Sequence, residues 1–214
     1  MTRIVAGSVG GRRIETPPGA GTRPTSDRVR EALFSRIESL LSGLVGARVL
    51  DLYAGSGAVG LEALSRGAAH AVLIEADRRT AALVRSNADL LGLADRVEVL
   101  VGTVDRVLSR EPGAPADFVF ADPPYDSATG DVEAAVGRVL DRGWCTADAL
   151  LVVERPGRSG GWRFPAGVED LGARRYGGTT LWYGRRARTA GREAHAGEGS
   201  NPCTPRSAPG PSTR

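Results

Sequence analysis

Lysine is absent from this sequence: all 28 basic side chains are arginine, against 25 acids and two histidines. That removes the Tyr-Lys pair on which one common class of hydride-transferring enzyme depends. Cysteine is nearly absent as well. Cys145 and Cys203 stand in unrelated contexts without metal-ligand spacing, so no disulfide framework is expected and Cys145 reads as a structural thiol. His70 and His195 lie far from any nucleophile pattern, so neither histidine-based catalysis nor a metal site is expected. No apolar run is long enough to cross a membrane. The opening MTRIVAGSVGG lacks the apolar core of a secretory signal, and the expectation is a cytoplasmic protein with no membrane partner. A chain of 214 residues suits one domain with a full-sized core, with a monomer as the default state.

The charge that is present is segregated. Residues 1–36 hold seven arginines against three acids, and residues 155–188 hold eight against two. Residues 37–154 between them hold ten against eighteen. Codon bias toward arginine accounts for the missing lysine but not for positive charge at both ends of an acidic middle. A rim that attracts a polyanion around a catalytic core would have this distribution, as would ordinary solvated faces.

Hydrophobic periodicity then organises the chain. RIVAG and RRIET read as short strands joined by a Gly-rich turn, and RVREALFSRIESLL as an amphipathic helix behind the capping residues Thr25, Ser26 and Asp27. From ARVLDL onward, short apolar strands alternate with helices. The strands are ARVLDL, AVLIE, RVEVLV, DFVFAD and ALLVVE. This alternation predicts an α/β fold, a mostly parallel doubly wound sheet with helices on both faces. ARRYGGTTLWYGRR predicts two strands turning at Gly177–Gly178, an antiparallel C-terminal edge. The expected organisation is an N-terminal hairpin and helix over 1–44, a core domain over 45–186, and a disordered tail over 187–214. From Thr189 the tail contains no Val, Ile, Leu, Met or aromatic residue.

Two motifs carry chemistry. The first is DLYAGSGAVG, residues 51–60, where GSGAVG matches the G-x-G-x-x-G turn that brings backbone N–H groups and a helix N-terminus against a ligand. Glu75 ends the next strand, 18 residues beyond Gly57, and suits the two hydroxyls of a ribose. These features fit NAD and S-adenosylmethionine equally. Asp51 favours the latter, because an acid is awkward beside a pyrophosphate and well suited to a cationic ammonium and sulfonium. Capping of the glycine turn is its other reading.

The second motif, FVFADPPYD, is the stronger. A strand delivers Asp122 to the sheet edge, and two prolines then remove backbone donors at 123 and 124. An exocyclic aromatic amine is a poor nucleophile because its lone pair is delocalised into the ring. Hydrogen bonds to Asp122 and to the Pro123 carbonyl would draw its nitrogen toward pyramidal geometry. Tyr125 could stack on the base, worth about 1–3 kcal/mol.

RIVAGSVGGRRIETP, TRPTSDRVREALF, DLYAGSGAVGLEALSRGA and FADPPY together resemble the bacterial 16S rRNA guanine-N2 methyltransferases of the RsmD type, over roughly residues 2–186. The resemblance implies a three-layer, Rossmann-like class I methyltransferase with a seven-stranded sheet. It implies S-adenosylmethionine as cofactor, held by Asp51, Tyr53, Gly55, Ser56, Gly57 and Glu75, with Thr103 and Val104 near the adenine. Asp122, Pro123, Pro124 and Tyr125 would be catalytic. Arg12, Arg13, Arg23, Thr25 and Arg28 would meet RNA, and the partner would be 16S rRNA in the 30S subunit or its assembly intermediate. One departure is VGTVDRV, where such enzymes carry an acid or Asn for the adenine amine; backbone at 103–104, or Asp105, would replace it here. Adenine-N6 methylation of DNA, protein-glutamine methylation, a dinucleotide oxidoreductase and a non-catalytic RNA-binding assembly factor remain alternatives.

Overall fold

The computed structural model describes residues 1–17, 27–157 and 161–188. After strands β1 (Thr2–Arg3) and β2 (Arg13–Ile14) and helix α1 (Asp27–Leu41), strands and helices alternate. They run β3 (Arg48–Asp51), α2 (Ala58–Ser65), β4 (His70–Glu75), α3 (Arg78–Leu91), β5 (Val97–Val101), α4 (Val104–Leu108), β6 (Ala116–Ala121), α5 (Thr129–Asp141) and β7 (Cys145–Pro156). Strands β8 (Val168–Tyr176) and β9 (Thr179–Arg186) follow. Seven strands form one sheet in the order β5-β4-β3-β6-β7-β9-β8. The first five are parallel, and the β8–β9 hairpin adds two antiparallel strands at the edge, as the sequence predicts.

Strand alternation sorts the core into two layers. Val49, Phe118, Phe120, Leu150 and Val152 pack with Leu33, Phe34 and Ile37 of α1 and with residues of α2 and α3. Leu50, Val119, Ala121, Leu151 and Val153, one residue out of phase, pack against α4 and α5. Both faces of the parallel strands are therefore covered, which is why those strands read as continuous apolar runs.

The N-terminal element is bound chiefly to α2 and α3. The strands RIVAG and RRIET shrink to two residues each because Val5 and Ala6 donate their N–H groups to the Glu62 carboxylate instead, at 2.6 and 2.9 Å. Ser8 N–H reaches the Ser65 carbonyl at 2.7 Å, and the Ser65 hydroxyl donates to the Ala6 carbonyl at 2.6 Å. Between them Gly7 has φ +88°, and a Cβ there would lie 2.0 Å from the Ser65 carbonyl oxygen. Asn87 of α3 completes the attachment. Its amide accepts from Glu15 N–H and donates to the carbonyls of Glu15 and Ser56, which ties the hairpin to the glycine loop. Ala187 and Arg188, placed in the tail by composition, are still bound to the core: Ala187 N–H donates to Gly167 and Arg188 pairs with Asp148. The rest of that segment lies outside the described residues.

Candidate active site

At the carboxyl edge of the sheet, β3, β4, β5 and β6 open into one cavity of about 450 Å³. This is where an open α/β sheet binds ligands. Tyr53, Gly55, Glu75, Thr103, Val104, Asp122, Pro123, Pro124 and Tyr125 line it, joined by Pro17 from the N-terminal element.

The glycine loop is built for close approach. Gly55 and Gly57 take φ +54° and +80°, and Gly57 starts α2. A Cβ on Gly60 would sit 2.2 Å from Leu73 Cδ2, so the third glycine of the motif lets helix and strand touch. Glu75 accepts from Gly55 N–H at 3.0 Å through one oxygen and from Asp77 N–H at 2.9 Å through the other. The carboxylate thereby fixes the loop from within the cavity wall. Ser56 and Gly57 lie behind this wall: the Ser56 carbonyl is held by Asn87, and Gly57 packs toward Val84 and Leu61. Asp51, expected at the cofactor, is not among the residues that line the cavity: it is buried, 1% exposed, with Tyr53 N–H donating to it at 3.2 Å. Burial above all, assisted by the charge of Glu75, pushes its pKa up to about 7 against the opposing Tyr53 bond.

Asp122 follows β6 directly. By register it stands beside Glu154 of β7, since Ala121 pairs with Val153. Burial, then Glu154 and Asp51, raise its pKa well above the usual carboxylate range, and Arg155 opposes the shift. Ser127 N–H closes a turn onto the Pro124 carbonyl at 2.9 Å, and Arg155 grips the Ser127 carbonyl at 3.0 Å. This clamped turn displays Tyr125, 51% exposed, at the mouth of the cavity. Among the described residues, Nη1 of the buried Arg155 has no acceptor.

Other expected site residues stand elsewhere or do other work. The Thr103 hydroxyl caps α4 by accepting from Arg106 N–H at 3.3 Å, and Thr103 and Val104 both line the cavity. Asp105 pairs with Arg138 and is not part of the wall. The Arg12 guanidinium is bound to the carbonyls of Leu90 and Leu91 and so caps the C-terminus of α3. Arg13 and Arg28 are exposed, and Arg23 and Thr25 lie outside the described residues. Sequence reasoning missed Glu154 and Arg155, whose adjacency to Asp122 exists only through β6–β7 pairing. Pro17 was missed for the same reason, since it arrives through the Asn87 bridge.

The family model described as conserved hypothetical protein 95 matches residues 2–185. The chain is 41% identical over 152 residues to ribosomal RNA small subunit methyltransferase D of Escherichia coli K12, covering 71% of this chain and 73% of that one. The chain belongs to the RsmD family. Among solved structures, the Escherichia coli protein named "Putative methyltransferase yhhF" superposes with a TM-score of 0.75 at 37% identity, covering 86% of this chain and 97% of that one. An O-methyltransferase from Bacillus cereus, solved in complex with SAH, shares the fold at a TM-score of 0.61 and 18% identity, over 79% and 84% of the two chains. The fold is thus that of the class I S-adenosylmethionine-dependent methyltransferases, an α/β sheet with helices on both faces.

Proposed function

We propose that this RsmD-family protein methylates the exocyclic N2 amine of a guanine in small-subunit ribosomal RNA. S-adenosylmethionine is its cofactor and supplies an electrophilic methyl group on a sulfonium. The observation that carries the reading is the convergence of the glycine loop, Glu75 and the Asp122 turn on one cavity. The acids of its wall, Glu75 and Asp122, with the buried Asp51 close enough to interact with both, fit a cationic ligand and disfavour the pyrophosphate of a dinucleotide.

In this reading Asp51 faces the ammonium of the cofactor, Glu75 its ribose, and the backbone at 103–104 its adenine. Asp122 and the Pro123 carbonyl accept the two N–H bonds of the target amine and turn its lone pair toward the methyl group. The C–N bond would form as the S–CH3 bond breaks, the sulfonium leaving as a neutral thioether, and the one amine proton released would pass to Asp122. Its carboxylate holds a proton more strongly than an ordinary aspartate, which suits that task. Tyr125 stacks on the unstacked base. The natural substrate is 16S rRNA presented on the 30S subunit or an assembly intermediate.

The test is transfer of labelled methyl to 30S particles from cells lacking the gene, with nucleotide mapping by mass spectrometry. Asp122→Ala is expected to abolish transfer while retaining RNA binding. Methylation at an adenine, or undiminished transfer by that variant, overturns the reading.

A further inference from the structure

The arginines of residues 155–188 are not equivalent. Strand β9 runs antiparallel to β7, with Thr179 opposite Pro156, and β8 returns with Tyr176 opposite Thr179. The Gly177–Gly178 turn therefore lies at the carboxyl edge, beside the catalytic cavity, and the far ends of both strands lie at the opposite edge. Arginines at that opposite edge are engaged with the protein. Arg185 donates to the carbonyls of Asp148 and Leu40, Arg186 to those of Cys145 and Leu140, and Arg188 pairs with Asp148. Two of these arginines thus hold the C-terminal ends of α1 and α5.

Arg174 and Arg175, next to the turn, differ. Both are exposed, and each makes a single hydrogen bond to a neighbouring carbonyl, Ala173 and Gly177 respectively. Among the described residues neither pairs with a carboxylate. Register also fixes the distance of Arg174 from the chemistry. Arg174 pairs with Leu181, and Leu181 with Glu154, the neighbour of Asp122. Residues paired side by side in one row project from the same face of a sheet, so Arg174 shares the face of Asp122. It lies three strand spacings away, about 14 Å at about 4.8 Å each. That is too far to touch a base held at Asp122 but suits the chain flanking it. Such contacts are needed there, because the acids in the cavity wall, Glu75 and Asp122, disfavour phosphate close to the site.

We infer that the tip of the β8–β9 hairpin is a docking arm for RNA: Arg174, on the face of Asp122, contacts a backbone phosphate beside the target nucleotide, and Arg175, one residue out of phase on the other face of the edge strand, contacts the strand where it passes around that edge. This rests on the RNA methyltransferase reading above. The arm has no sequence preference of its own; it places the strand so that one base can reach the cavity.

The experiment measures equilibrium binding of 16S rRNA, free and in 30S particles, to the full chain as a function of salt, alongside methyl transfer. The double variant R174Q/R175Q is expected to bind about tenfold more weakly at 0.1 M salt. Its log–log salt slope should fall by about 1 to 2, roughly 0.7–0.9 for each phosphate no longer neutralised. Its response to S-adenosylhomocysteine and its melting temperature should stay at parental values. Arg188→Gln removes a charge at the opposite edge and should leave RNA affinity and slope unchanged. Equal effects from the two variants, or an unchanged slope in the double variant, overturn the inference. Because binding is read directly, parental protein that binds RNA through Arg174 and Arg175 yet transfers no methyl would overturn the proposed function alone.

Discussion

Replacing Asp51 by Asn should improve stability and damage cofactor binding at once. Asp51 is 1% exposed, and its pKa is pushed up to about 7 mainly by burial. In the unfolded chain the same carboxyl titrates near 3.9. Between those values the folded protein holds more protons than the unfolded one, so the contribution to stability falls as pH rises and is fully lost above about 7. About three pH units at about 1.4 kcal/mol each make about 4 kcal/mol. Asn keeps an acceptor for Tyr53 N–H and has no charge to desolvate. At pH 8 Asp51→Asn is therefore expected to be more stable than its parent by up to about 4 kcal/mol. At about 2–4 °C per kcal/mol for a domain of this size, that is about 8–16 °C in melting temperature. The gap should close toward pH 4. Cofactor binding should move the opposite way, because an ionised Asp51 attracts the cationic ligand and Asn does not. Scanning fluorimetry between pH 4.5 and 8.5, with and without S-adenosylmethionine, measures both effects. A variant that is less stable than its parent at pH 8 would refute the burial argument. One whose ligand-induced shift equals the parent's would refute the assignment of Asp51 to the cofactor.

Other expectations are sharp enough to check. Glu62→Gln removes the charge opposite Arg30 and Arg66 and should cost about 3–5 kcal/mol, read as a lower urea midpoint; a loss under about 1 kcal/mol would contradict the buried-network reading. Tyr125→Ala should raise KM for RNA about tenfold, in line with about 1–3 kcal/mol of stacking, with little change in cofactor affinity. Arg155→Met should reproduce much of that effect by releasing Ser127, and in the Tyr125→Ala background it should add little; full additivity in steady-state kinetics would show that the clamp does not act through the tyrosine. The raised pKa of Asp122 predicts that kcat/KM falls as pH drops through a value above the ordinary aspartate range, and Glu154→Gln should move that limb to lower pH.

The parts of the fold written in local pattern were legible. Period-2 and period-3.6 spacing located the strands and helices, Gly92 with φ +71° ends α3, and Gly177 with φ +60° turns the hairpin. The motif residues Gly55, Glu75 and Asp122 reached one cavity because the carboxyl-edge rule needs only strand order. What stayed hidden depends on pairs far apart in sequence. Glu62 reads as one polar position in a short helix, yet it is fully buried because Val5, Ala6, Arg30 and Arg66 converge on it. Arg12 reads as a surface charge, and only the packing of the hairpin against α3 shows that it caps a helix. Glu154 and Arg155 looked like the end of a buried strand. β7 in fact begins at Cys145, after which its register against β6 shifts between Ala116 and Phe118.

Among the described residues, the acids withdrawn from water fall into two sets that work in opposite directions. Glu62 is met by two backbone N–H groups and two guanidinium groups, so its charge is compensated in the ligand-free protein and the N-terminal element is held in place. Asp51 has one backbone donor, and Asp122 stands beside Glu154 with Arg155 as the opposing charge. Their desolvation is offset only when positive charge and N–H donors enter the cavity. The same carboxylates that would favour a cationic cofactor and a base amine also repel the RNA that carries the base. A methyltransferase with such a site therefore needs cations outside the cavity but within reach of the strand, and the register of β8 and β9 puts Arg174 on the face of Asp122 with Arg175 beside it at the sheet edge.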